Sequence, residues 1–163
     1  MPKVRNIPFI DLSLKKTDLD KTISNISNLI KDNNFIGGNE VKNFQENFSK
    51  FNESKYCVGV ANGTDALELA VESLDIPKNS EVIVPNFTFL SPAEAVVRGG
   101  YKLVLADINL DDFTISIESL KKLATKKTSA LIVVHLFGNP CDMTEIKKIT
   151  DKNGIKIIED CSQ

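Results

Sequence analysis

Two kinds of hydrophobic spacing divide the chain. Through residue 54 the apolar positions recur at helical intervals in a polar background. Leu19, Ile23, Ile26 and Ile30 form one stripe, and Val41, Phe44, Phe48 and Phe51 form a second. Asn33-Asn34 and Gly37-Gly38 punctuate the end of the first stripe. The pattern predicts a helical segment over residues 1–54, its phenylalanines serving as core or as a subunit contact rather than lining a ligand site.

From Lys55 onward short apolar runs alternate with helix-like stretches. The runs are Tyr56–Ala61, Glu81–Val84, Leu103–Ala106, Ala130–Val134 and Ile155–Ile158. Most are continuous in Val, Ile and Leu, as strands covered on both faces require. Helix starts are marked by Ser91-Pro92-Ala93-Glu94, a capping box with proline in the first turn, by Ser116, and by Asp142 before Ile146 and Ile149. This order predicts an α/β fold with a mainly parallel sheet and helices on both faces, over residues 55–163. No internal repeat, low-complexity tract or linker interrupts it.

Composition narrows the class without changing the picture. The length of 163 residues suits one domain of ordinary size. With 42% hydrophobic and 26% charged residues the balance is that of a water-soluble globular protein. The net charge is -2 and the Lys and Arg residues are scattered, which argues against a nucleic-acid partner. Met1 to Arg5 leads into the polar stretch Asp11–Asp20, so no signal peptide is read, and no segment approaches the ~20 apolar residues of a membrane span. A cytoplasmic location is expected. Cys57, Cys141 and Cys161 are odd in number and widely spaced, so they read as reduced thiols near strand ends, with neither a disulfide framework nor a metal site.

In an open α/β sheet, ligands bind beyond the carboxyl ends of the strands. The residues expected there are Asn62-Gly63-Thr64-Asp65, Pro85-Asn86-Phe87-Thr88-Phe89, Asp107, His135 and Glu159-Asp160. Gly63 allows close backbone approach, and Thr64 adds a hydroxyl to the N–H groups opening a strong helix, the makings of a phosphate cradle. The alternative is that Asn62 or Thr64 only caps that helix. The turn is neither a P-loop nor a Rossmann G-x-G-x-x-G. Asp160, closing a strand, needs a cation or several donors as partner, and a protonated pyridine nitrogen is one such cation. A cap or a metal-binding role is the alternative. Phe89 could stack on a planar ring or simply belong to the core.

These motifs, taken in order, resemble the DegT/DnrJ family of pyridoxal-phosphate (PLP) sugar aminotransferases, of PLP fold type I. The likeness runs through Ile7–Leu12, Phe35–Val41, Ala61–Leu67, Glu81–Pro85 with Thr88-Phe89, Val134–Gly138 and Ile158–Gln163. Any one motif is weak, but the ordered set is specific. The resemblance implies that Gly63 and Thr64 bind the cofactor phosphate, that Phe89 stacks on the ring, that Asp160 pairs with the ring nitrogen, and that Gln163 hydrogen-bonds the ring's phenolic oxygen. Asn62 and His135 stand near that site without an assigned role. Cys161-Ser162 departs from the alanines common there, by small residues that should not disturb the pocket.

The resemblance also implies that residues 55–163 form only the N-terminal part of the PLP-binding large domain, the remainder and a small domain being absent. The Schiff-base lysine would lie beyond Gln163, so no catalytic residue is expected in this chain and the chain alone is expected to be inactive. The whole protein would move an amino group, glutamate being the donor, to a nucleotide-linked keto sugar, acting as a homodimer. Two other readings stay open: a non-catalytic cofactor-binding or interaction module, and a PLP-dependent sugar dehydratase of the same family. A parallel sheet cut short in this way predicts an open edge, uncovered apolar faces and poor solubility.

Overall fold

The computed structural model describes Pro8 and residues 11–163, so Ile7, Phe9 and Ile10 of the opening motif lie outside the described residues. The chain divides into two compact units, Met1–Gly59 and Val60–Gln163.

The first unit holds the two helices that the spacing predicts, α1 (Lys16–Lys31) and α2 (Gly38–Phe51). Asp18 and Glu40 sit in the first turns and Lys31 and Lys50 in the last, each complementing the helix dipole. Their apolar stripes are present, but neither helix has a buried residue, so the stripes do not form a core here. Phe44 and Phe48 stack on each other at 5.4 Å between ring centroids and remain exposed. The run Tyr56–Ala61, predicted as a strand, is not one. Its backbone joins no ladder among the described residues, and Tyr56, Val58 and Val60 are exposed. Propensity alone does not make a strand, because its N–H and C=O groups need a neighbour to pair with.

The second unit is a four-stranded parallel sheet in the order β2-β1-β3-β4, with β1 at Glu81–Pro85, β2 at Lys102–Ala106, β3 at Thr128–Val134 and β4 at Lys156–Asp160. The sheet is layered between α3 (Gly63–Ser73) with α4 (Ser91–Arg98) and α5 (Ile117–Leu123) with α6 (Met143–Asn153). Alternate side chains of the central strands serve the two layers. Val82, Val84, Ala130, Ile132 and Val134 pack with Leu67, Val71, Ala95 and Val96. Ile83, Leu131 and Val133 pack on the other face with Leu120, Ile146 and Ile149. Each of the Val, Leu and Ile side chains contributes about 1.5–3 kcal/mol by leaving water, and the alanines less. Only β1 and β3 are covered on both faces. Leu103 and Val104 on β2, and Ile157 and Ile158 on β4, are half-buried, because these strands form the edges.

Two of the predicted caps form. Ser116 accepts the Ser119 N–H at 3.3 Å, and Asp142 accepts the Glu145 N–H at 3.0 Å. Helix α6 ends at Gly154, whose φ of 67° lets Ile155 N–H return to Thr150 O at 2.9 Å. No helix among the described residues is long and apolar enough to cross a membrane.

Two stability outcomes follow from this packing, both checked by urea unfolding. Ile132→Ala empties a fully buried site between β3 and the α3/α4 layer and is expected to cost about 2–5 kcal/mol. Gly154→Ala meets no atom within 4 Å, so its cost, about 1 kcal/mol, comes from the left-handed backbone alone.

Candidate functional site

The sheet order creates the site. After β1 the chain crosses through α4 to β2 on one side, then places β3 and β4 on the other. The connections therefore diverge between β1 and β3, and a crevice opens outside their carboxyl ends. A cleft of about 250 Å³ lies there, lined from the N-termini of α3 and α4, the loop after β1, and the ends of β3 and β4. Gly63, Thr64, Thr88, Phe89, His135, Asp160 and Gln163 all border it, whereas Asn62, Asp65, Pro85, Asn86, Phe87, Asp107 and Glu159, also expected at this edge, do not line it.

At one end of the cleft two helix N-termini meet. Asn62 is extended (φ -163°) and its side-chain oxygen accepts Asp65 N–H at 2.9 Å, so Asn62 is the cap of α3. Thr64 does not cap. Its hydroxyl lies 2.7 Å from the Ser91 hydroxyl, a bond joining positions 27 residues apart. The capping box read at Ser91 is thereby corrected. Leu90 occupies the cap position in a helical conformation with no side-chain cap bond, while Ser91 is the first residue of α4 and turns toward Thr64. Pro92 stands in the first turn as predicted. A Cβ on Gly63 would meet Ser162 Oγ at 3.5 Å, an ordinary van der Waals contact, so the α3 turn and the β4 end lie side by side here.

Another part of the cleft wall is built by the termini of β3 and β4. Asp160 Oδ1 accepts both the Ser162 N–H at 3.0 Å and the Ser162 hydroxyl at 2.5 Å, which fixes the carboxylate and leaves Oδ2 outside that turn. His135 is held at both nitrogens. Nδ1 accepts Cys141 N–H at 3.1 Å and Nε2 lies 3.2 Å from Glu159 Oε2, so in the neutral ring Nε2 carries the proton. His135 N–H also donates to Asp160 O at 3.1 Å. This histidine fastens β3, β4 and the 139–141 turn together, and Glu159 is its partner rather than a separate site group.

Gln163 Oε1 accepts the Phe137 N–H, at a residue held in the left-handed region (φ 57°). With the oxygen engaged, Nε2 is the end of the amide that can donate to a bound molecule. Phe89 is 73% exposed and borders the cleft, so the reading of it as core is set aside. Asp107 does not reach the cavity. Its carboxylate takes Asn86 Nδ2 at 3.0 Å and thus ties the loops after β1 and β2. The thiols offer no activated nucleophile beside the cleft. Cys141 is buried, donates to Val134 O at 3.3 Å, and is pushed up in pKa by that burial. Cys161 is pushed up as well, first by burial and then by the charges of Glu159 and Asp160.

Sequence reasoning missed Ser91 and Ser162 as parts of the site. Ser162 stood inside a quoted motif, but only its backbone turn shows the hydroxyl reaching Asp160. Ser91 carried a helix-start signal that pointed to a different role.

Comparison with known proteins gives this architecture a context. Over 158 residues the chain is 37% identical to the dTDP-3-amino-3,6-dideoxy-alpha-D-galactopyranose transaminase of Aneurinibacillus thermoaerophilus, covering 96% of this chain and 44% of that protein. The crystal structure of S. venezuelae DesV in complex with a ketimine intermediate superposes with a TM-score of 0.88 at 34% identity, over 96% of this chain and 43% of that one. The E. coli GDP-4-keto-6-deoxy-D-mannose-3-dehydratase with bound hydrated PLP superposes with a TM-score of 0.85 at 29% identity, over 95% and 40%. The chain thus spans less than half the length of the relatives it matches. Residues 17–163 match the sequence model of the DegT/DnrJ/EryC1/StrS aminotransferase family, and the chain belongs to that family.

Proposed function

We propose that the whole protein is a cytoplasmic, homodimeric PLP enzyme that transfers an amino group from glutamate to the keto group of a nucleotide-linked sugar, and that these residues supply most of its cofactor cradle. One observation carries the reading. A helix start with free N–H groups, an exposed phenyl ring and an anchored carboxylate line a single cleft at the point where the strand connections diverge.

The residues suit the group in charge and shape. The N–H groups opening α3, with Gly63 and the Thr64 hydroxyl, would hold the phosphate. Phe89, exposed at the cleft, would offer its ring for the pyridine to lie against. Asp160, fixed through Oδ1 by Ser162, would accept the protonated ring nitrogen at Oδ2. Gln163 would donate from Nε2 to the phenolic oxygen. His135 holds the ends of β3 and β4 in register under this wall and is assigned no proton transfer. When bound, PLP supplies an electron sink for bonds at an amino-bearing carbon, and Asp160 keeps that sink effective by holding the proton on the ring nitrogen.

The transaminase likeness at 37% identity favours amination over the dehydratase reading, whose representatives stand at 29% and 30%. The two outcomes differ in the fate of nitrogen. With nitrogen-labelled glutamate and a nucleotide-linked keto sugar, the whole protein is expected to yield 2-oxoglutarate and a labelled amino sugar. A deoxygenated product without label would replace this reading with the dehydratase one.

The cofactor assignment has its own test, on this chain. Pyridoxamine 5′-phosphate, which needs no lysine to bind, is expected to bind saturably when its own fluorescence is followed, and Asp160→Ala to weaken binding about ten- to hundredfold. Equal affinity in the two proteins would remove Asp160 from the site.

A further inference from the structure

We infer that Ser91 is a positioning residue for the cofactor phosphate, acting through a hydroxyl relay in which Ser91 donates to Thr64 and Thr64 donates to the anion; the inference rests on the proposal that this cleft binds PLP. The two oxygens are 2.7 Å apart, short enough for one to donate fully to the other. A hydroxyl carries one proton, so Thr64 can spend its own on an anion only if its oxygen accepts from Ser91.

Burial sets the direction. Ser91 is 7% exposed and makes no other side-chain hydrogen bond among the described residues, so the Thr64 oxygen is the one protein acceptor those residues offer its proton. Thr64 is half-buried and stands in the first turn of α3, whose free N–H groups would face a bound anion. The arrangement also couples two helices. Ser91 opens α4, so the bond aligns the starts of α3 and α4 on the same end of the cleft. An acceptor hydroxyl that is itself donating becomes a better donor to a dianion through mutual polarisation.

The relay is tested by phosphate discrimination, the ratio of the affinities for pyridoxamine 5′-phosphate and for pyridoxamine, measured by fluorescence titration. The ratio is taken within one protein, so a fraction of unfolded material cancels from it. Ser91→Ala is expected to lower the ratio about three- to tenfold and Thr64→Val by at least as much. The double variant should be no worse than Thr64→Val alone, because both substitutions cut the same chain. An unchanged ratio in Ser91→Ala beside a lowered one in Thr64→Val would overturn the relay and leave the phosphate assignment standing. Losses that multiply in the double variant, or a larger loss in Ser91→Ala than in Thr64→Val, would overturn it as well. No change in either variant would overturn both the relay and the phosphate assignment beneath it.

Discussion

The parallel pairing of β1 with β3 is the contact on which the second unit depends. Glu81, Val82 and Ile83 align with Thr128, Ala130 and Leu131, with one register shift between Glu81 and Val82. Two chain segments far apart in sequence are thereby set side by side, and the α/β layers assemble around them. Their side chains feed both cores, Val82 and Ala130 one way and Ile83 and Leu131 the other. The same pairing separates the β1–α4–β2 connection from the β3–α6–β4 connection, and the crevice between their carboxyl ends is a geometric result of that separation.

Around this crevice the polar groups are ordered by short bonds that do not need a ligand. Asn62 caps α3, Thr64 and Ser91 are joined by a hydrogen bond, Ser162 grips Asp160, and Cys141 with Glu159 grips His135. Each removes a rotational freedom that binding would otherwise have to remove, which is how a site gains affinity without added contacts. The histidine illustrates the difference between chemistry and support. Both of its nitrogens are committed to the protein, so its contribution is to keep the ends of β3 and β4 aligned under Asp160.

The first unit is constrained differently. Helices of 16 and 14 residues with long apolar stripes and no buried residue have the surface of a packing element, not of a free-standing domain. Tyr56–Ala61 likewise has strand composition and no strand partner. In both places the local pattern is strong, yet neither helix buries a residue and the run joins no ladder among the described residues.

Much of the architecture was legible from residues alone, because it follows from side-chain period and from caps. The Val/Ile runs became β1, β2, β3 and β4 within a residue or two, and Ser116 and Asp142 capped the helices that follow them. The family motifs also placed Gly63, Thr64, Phe89, His135, Asp160 and Gln163 in an order that the strand-end rule brings to one edge. What sequence could not decide was pairing across distance. Whether Tyr56–Ala61 finds a neighbour, whether Phe89 is core or cleft wall, and whether the Ser91 hydroxyl caps its own helix or reaches Thr64 all depend on which backbones lie within about 3 Å of each other, and local propensity carries no information about that distance. The sequence therefore determined which groups are present at the sheet edge, and the tertiary structure decided which of them hold one another and which face the cleft.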